Sequence, residues 1–150
     1  MNYKKGFTII ELLMVIAIIG IIASIMISNL GKGKNKGTDG AITKQVTEIR
    51  SQAELHFINN GNSYLNVCTS GTNNVNSMLS KLASISGTTA AINSGAVQTT
   101  TTTNCNTSVA AYAVSVKLKD PTTTTYLCTD SINATRTSTT PLPASQTFCP

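Results

Sequence analysis

Twenty-four consecutive residues, Phe7 to Leu30, hold one charged side chain, Glu11, and are otherwise almost wholly apolar. As a helix rising about 1.5 Å per residue, this run is long enough to cross a hydrocarbon core roughly 30 Å thick. An ionisable group inside such a segment costs about 2.5–3.5 kcal/mol even on an insertion scale, so Glu11 needs a reason other than stability. A single-pass anchor for an unrelated domain explains the apolar run, but neither Glu11 nor what precedes it.

The order of features is the second constraint. A secretory signal peptide has a basic start, an apolar run of about 7–15 residues, and a small-residue cleavage site after that run. Here the small residue comes first: Gly6 separates Lys4 and Lys5 from the apolar run. Cleavage after Gly6 removes residues 1–6 and leaves the whole hydrophobic helix, beginning at Phe7. The stretch Gly6-Phe7-Thr8-Ile9-Ile10-Glu11-Leu12 resembles the signature of the type IV pilin family. The resemblance covers about the first thirty residues. It implies a dedicated prepilin peptidase that cuts between Gly6 and Phe7, N-methylation of the new terminal Phe7, and a role for Glu11 in assembly. Other pilin subunits, assembly motors and an inner-membrane assembly platform are the implied partners.

Length and charge bound the remainder. With 150 residues, the chain has room for one domain after the helix. The formal charge of +5 does not point to nucleic acid, because Lys4, Lys5, Lys32, Lys34 and Lys36 flank the apolar run where membrane phosphates lie. Few basic residues follow Arg50 and there is no Trp, so no nucleic-acid partner is required. Lysines on both sides of the helix leave its direction open. The cysteines decide it: Cys68, Cys105, Cys128 and Cys149 all follow the helix, and an even number there indicates disulfides in an oxidising exterior. None forms a C-x-x-C pair and the single His56 lies on another segment, so no metal site is expected.

Within the apolar helix, Gly20, Ser24 and Ser28 recur every fourth residue, the spacing that lets a second helix approach closely in lipid. Pilins commonly place a proline where this chain has Ser28. The segment Gly31 to Gly40 follows, with four glycines and three lysines; each glycine weakens a helix by about 0.8–1 kcal/mol, so the segment is a weak helix or a hinge. From Ala41 to Ile58, Ile42, Val46, Ile49, Ala53 and Phe57 form one apolar stripe of a helix. Thr38 or Asp39 serves as its cap, and Asn59-Asn60-Gly61-Asn62 as its end. His56 reads as a helix-surface histidine.

Past Gly61 the pattern predicts a short strand at Tyr64–Cys68, a helix from Val75 to Ser84 and a strand from Val109 to Leu118. In that strand Tyr112, Val114, Val116 and Leu118 alternate with small or polar residues, which predicts a sheet with one buried face. Thr125–Thr129 and Ile132–Thr137 read as further strands, with a turn at Asp120-Pro121. The runs Thr99–Thr103, Thr122–Thr125 and Ser138–Pro143 read as exposed loops, and Asn106-Thr107-Ser108 and Asn133-Ala134-Thr135 match a weak glycosylation pattern. Four cysteines allow three pairings. Sequence order and the strand assignment favour Cys68 with Cys105 and Cys128 with Cys149, the second bridge tying the tail to its strand; a tail pinned to the sheet is also common among pilins.

The expected fold is α+β. A long amino-terminal helix, membrane-spanning in its first half and amphipathic in its second, packs on a small antiparallel sheet stapled by disulfides. The expected division is a leader (1–6), a membrane and filament-core helix (7–30), a hinge with the amphipathic helix (31–58) and a head (59–150). No nucleophile–base arrangement, nucleotide loop, carboxylate pair or cofactor motif stands out, so the chain reads as a building block and not an enzyme. The resemblance implies a type IV pilus subunit, held in the cytoplasmic membrane as a precursor and then built into an extracellular filament for adhesion, motility or DNA uptake. A pseudopilin of a type II secretion or competence system shares the same amino-terminal signature.

Overall fold

Among the described residues the fold has seven elements: helix α1 (Ile9–Asn59), helix α2 (Val75–Ser86) and strands β1 (Thr89–Ile92), β2 (Thr102–Thr107), β3 (Tyr112–Lys117), β4 (Tyr126–Asp130) and β5 (Thr135–Ser138). They come from a computed structural model that describes residues 6–69, 75–92, 95–120, 123–132 and 135–150, apart from the side chains of Ser28 and Asn29. The expectations for Lys4, Lys5, the Ser28 side chain, the Pro121 turn and the Asn133 glycosylation pattern lie outside the described residues. The chain divides into two compact units, Met1–Lys34 and Asn35–Pro150.

In the first unit, the α1 residues from Ile9 onward turn apolar side chains outward on every side. Ile10, Leu13, Ile16, Ile19, Ile22 and Ile25 all stand exposed. This is the one helix among the described residues that is long and apolar enough to cross a membrane.

The Gly31–Gly40 stretch is helical. A Cβ added at Gly31, Gly33, Gly37 or Gly40 would meet no atom within 4 Å, so no close contact inside the chain demands glycine there. Gly33→Ala and Gly37→Ala are therefore expected to strengthen the helix by about 1 kcal/mol each. Slower amide exchange across residues 31–40 is the readout, and unchanged exchange in the double variant would count against a helix weakened by its glycines. No cap is needed where the helix runs on, and Asp39 has another use: its Oδ1 accepts the Lys119 backbone N–H at 2.6 Å.

In the second unit the apolar stripe of α1 forms one wall of the core. Ile42, Val46, Ile49 and Ala53 are fully buried and Phe57 packs partly buried beside them. They meet Val75, Leu79 and Leu82 of α2 and Tyr112, Val114, Val116 and Leu127 of the sheet. The helix closes where Asn62 N–H donates to the Phe57 carbonyl at 3.0 Å, with Gly61 and Asn62 both in the left-handed region. Tyr64–Cys68 is a turn and not the strand expected. Asn66 adopts φ +64°, and Val67 N–H bonds back to the Tyr64 carbonyl, which breaks the extended path.

The five strands lie in sequence order, β1 parallel to β2 and every other pair antiparallel. One strand begins in a stretch that reads as loop. β2 (TTNCNT) takes up the end of the first threonine run, because β-branched threonines suit a pleated strand; Thr103 is buried with its hydroxyl 2.6 Å from that of Thr88. The last strand begins at Thr135 and not at Ile132, which is exposed.

The sheet is also covered on its second face. Ala113 and Ser115 are as fully buried as Val114, because the tail returns over them and places Leu142 and Cys149 against Ala113 and Cys128. Gln98 holds that layer together. Its Nε2 donates to the carbonyls of Thr102 (3.1 Å) and Ser115 (2.9 Å), while its Oε1 accepts Leu142 N–H at 3.1 Å. Disulfides join Cys68 to Cys105 inside the main core and Cys128 to Cys149 under the tail.

At the far end of the α1 stripe, Phe57 stacks on Tyr64 and Tyr64 tilts against Tyr112, with ring centroids 4.5 and 5.0 Å apart. Tyr64 donates its hydroxyl to Glu54 Oε2 at 2.9 Å. Burial first, and then this carboxylate, push the Tyr64 phenol up to about 12; burial likewise pushes Tyr112 up. A folded-state value above the unfolded one gives stability that is whole below pH about 10 and declines as pH rises towards 12. The urea midpoint should hold up to pH 9.5 or so and fall steeply above it. Tyr64→Phe should flatten that fall; an unaltered slope in this variant would remove Tyr64 as its cause.

Candidate functional site

The chemistry-bearing residues of the amino terminus sit where coil passes into helix. Gly6, Phe7 and Thr8 are non-helical, α1 starts at Ile9, and the Phe7 side chain is 86% exposed. The Gly6–Phe7 bond therefore lies in open, non-helical backbone just ahead of a rigid element, where a protease can draw it out without unwinding a helix.

Thr8 is the N-cap and Glu11 is the third helical residue, and the two close on each other. Glu11 Oε2 accepts the Thr8 backbone N–H at 2.8 Å and the Thr8 hydroxyl at 2.6 Å. In return Thr8 Oγ1 accepts Glu11 N–H at 3.4 Å. This reciprocal arrangement satisfies two donors that a helix start leaves without intrahelical partners. It also fixes the carboxylate at the helix amino end, where the macrodipole favours negative charge. Both bonds to Glu11 fall on Oε2; among the described residues Oε1 accepts none. The sequence signal for this contact is Thr-x-x-Glu, Thr8 to Glu11, immediately before an apolar run.

Gly20 has no atom within 4 Å of a would-be Cβ, and Ser24 turns its hydroxyl back to the Ile21 carbonyl at 2.8 Å. Both positions are thus small, and Ser24 spends its hydroxyl within its own helix. His56 proves to be a buried residue and not a surface one. Its Nε2 lies 3.1 Å from the Leu65 carbonyl and its Nδ1 3.3 Å from Asn60 Nδ2, so the ring closes the turn after α1. Among the described residues no group of His, Cys, Asp and Glu could hold a metal ion, and every cysteine is in a disulfide.

A family model described as the prokaryotic N-terminal methylation motif matches residues 1–27, which span the Gly6–Phe7 bond and the Thr8–Glu11 contact. The chain is also 42% identical over 64 residues to the type IV wide pilus major component PilA4 of Thermus thermophilus, covering 43% of this chain and 48% of that one. By its amino terminus the chain carries the prokaryotic N-terminal methylation motif. The chain is in addition 30% identical over 57 residues to the type II secretion system core protein G of Dickeya chrysanthemi, and to that of Klebsiella michiganensis over the same length. Those matches cover 38% of this chain and 37% and 40% of the two secretion proteins, so the chain spans about half or less of the relatives it matches. No solved structure matches it.

Proposed function

We propose that this chain is the structural subunit of a type IV pilus, made as a membrane-anchored precursor, cleaved after Gly6, methylated at Phe7 and polymerised into an extracellular filament. The observation that carries this reading is the accessible Gly6–Phe7 bond beside a carboxylate held by Thr8, at the head of a helix exposed and apolar on all sides. Such a helix is stable only in lipid or among its own kind. Cleavage creates an amine at Phe7, four residues from Glu11. In a staggered assembly the amine of an incoming subunit meets Glu11 of one already in place, and pairing removes the cost that each charge carries alone in an apolar medium. Gly20 and Ser24 let neighbouring helices approach. The prepilin peptidase and methyltransferase, the inner-membrane assembly platform and sister pilins are the partners, and the chain is their substrate and not an enzyme.

The test is the mass and amino-terminal sequence of the protein sheared from its native cells. A chain starting at Phe7 with one added methyl group, abundant in the sheared fraction, is the expected result. An intact Met1 terminus would reduce the helix to a simple anchor. The likeness to the two secretion core proteins supports a second reading, a pseudopilin. That reading predicts processed chain in the membrane fraction and none in the sheared one.

A further inference from the structure

The two threonine runs, some twenty residues apart in the chain, converge on one cleft of about 350 Å³ in the second unit. Thr100 comes from the first run, and Thr123 and Thr124 from the second. Lys117 and Lys119 line the same cleft, with Asp120 as its one carboxylate. The sequence gives no hint of this meeting, since each run alone reads as a solvated loop.

Lys119 is fixed at its backbone, and its side chain lies over a glycine. Its backbone N–H is bonded to Asp39, and its Nζ lies 2.8 Å from where a Cβ on Gly87 would stand. Gly87 has φ +71° in the turn that closes α2, where Thr88 N–H reaches the Ala83 carbonyl at 2.8 Å. Any side chain there would meet both backbone strain and the ammonium group, so glycine keeps the Lys119 head beside the cleft. Two lysines against one carboxylate, with three threonines in the same lining, suit an oxyanion of the phosphate type.

The chain itself says where such a group would be met. Asp39 follows Leu30, the end of the apolar run, by nine residues, among them Lys32, Lys34 and Lys36. Even fully extended, nine residues span no more than about 32 Å, and as a helix about 14 Å. We propose that in the membrane-anchored subunit this cleft binds the phosphate of an anionic lipid headgroup through Lys117 and Lys119, docking the head on the bilayer before assembly. This rests on the reading of α1 as a membrane anchor, and the experiment separates the two.

Full-length protein is placed in nanodiscs of phosphatidylcholine, or of phosphatidylcholine with phosphatidylglycerol, and amide exchange is followed at residues 86–88 and 117–120. Exchange there should slow about fivefold or more with phosphatidylglycerol, the equivalent of roughly one lysine–lipid contact. The slowing should vanish in Lys117→Gln/Lys119→Gln and persist in Lys117→Arg/Lys119→Arg. Unchanged protection of β2 to β4 shows that the variants are folded. Equal exchange in both discs overturns the proposal. If inorganic phosphate slows the same amides in phosphatidylcholine discs and phosphatidylglycerol does not, the lipid source is overturned and a free oxyanion takes its place. Failure of the chain to remain in the discs would overturn the anchor reading itself.

Discussion

Glu11→Ala is expected to enter the membrane at least as well as the parent chain and to yield few or no filaments. Loss of the Thr8 contacts weakens the helix start by about 0.5–2 kcal/mol. Removal of the carboxylate from an apolar segment relieves about 2.5–3.5 kcal/mol, so insertion should not suffer. Assembly should. An amine that meets no carboxylate in an apolar filament core carries a penalty of about 3–5 kcal/mol per subunit, which is a factor of about a hundred to a few thousand in the affinity of each addition. Two companion variants separate charge from capping. Glu11→Gln keeps an oxygen for Thr8 but not the charge, and should assemble as poorly as Glu11→Ala. Thr8→Val keeps the charge and loses the hydroxyl contact of 2.6 Å, and should assemble with a milder defect. The checks are membrane fractionation and the yield of sheared filaments. Normal yield from Glu11→Ala sinks the charge-pairing account; a defect in Thr8→Val equal to that in Glu11→Ala would move the role of Glu11 from pairing to capping.

The amino terminus was legible because its constraints are local and one-dimensional. A charge within an apolar run, a glycine ahead of it and a helix of membrane length can each be read without knowing what packs against what. The α1 stripe from Ile42 to Phe57 was legible for a similar reason, since a period of 3.6 with one buried side leaves an alternation of character in the chain. The head was less so, because the second face of its sheet is buried by polar means. Asn104, Asn106 and Ser115 look like surface residues, yet all are buried under a tail that Gln98 and the Asp130 carboxylate hold by hydrogen bonds to Leu142 and to Cys149 N–H. Alternation of apolar and polar residues cannot report a face that is covered this way. The same blindness hid the cleft, whose threonines and lysines come from separate loops, and the burial of His56, which depends on the Leu65 carbonyl after the turn.

The two disulfides should fail in different ways, because they stand in different cores. Cys68–Cys105 has a sequence separation of 37 and lies within the main cluster with Val67, Val114 and the α1 stripe. Cys128–Cys149 has a separation of 21 and lies in the small second cluster with Ala113 and Leu142. On loop length alone, removing them costs about 4 and about 3 kcal/mol. A domain of this size has some 5–15 kcal/mol in all, so losing both should leave the head unfolded or nearly so at 37 °C. Cys68→Ala/Cys105→Ala should act globally: a lower urea midpoint, a Tm down by roughly 10 °C or more, and faster exchange from α1 to β4 together. Cys128→Ala/Cys149→Ala should act first on the tail, because the face beneath it is polar and accepts water at little cost. Exchange at Gln98, Leu142 and Cys149 should rise by about two orders of magnitude while the amides of Ile42 to Ala53 stay protected. If the second pair of substitutions deprotects the α1 stripe as much as the first, then the tail is no separate layer, and the two faces of the sheet unfold as one.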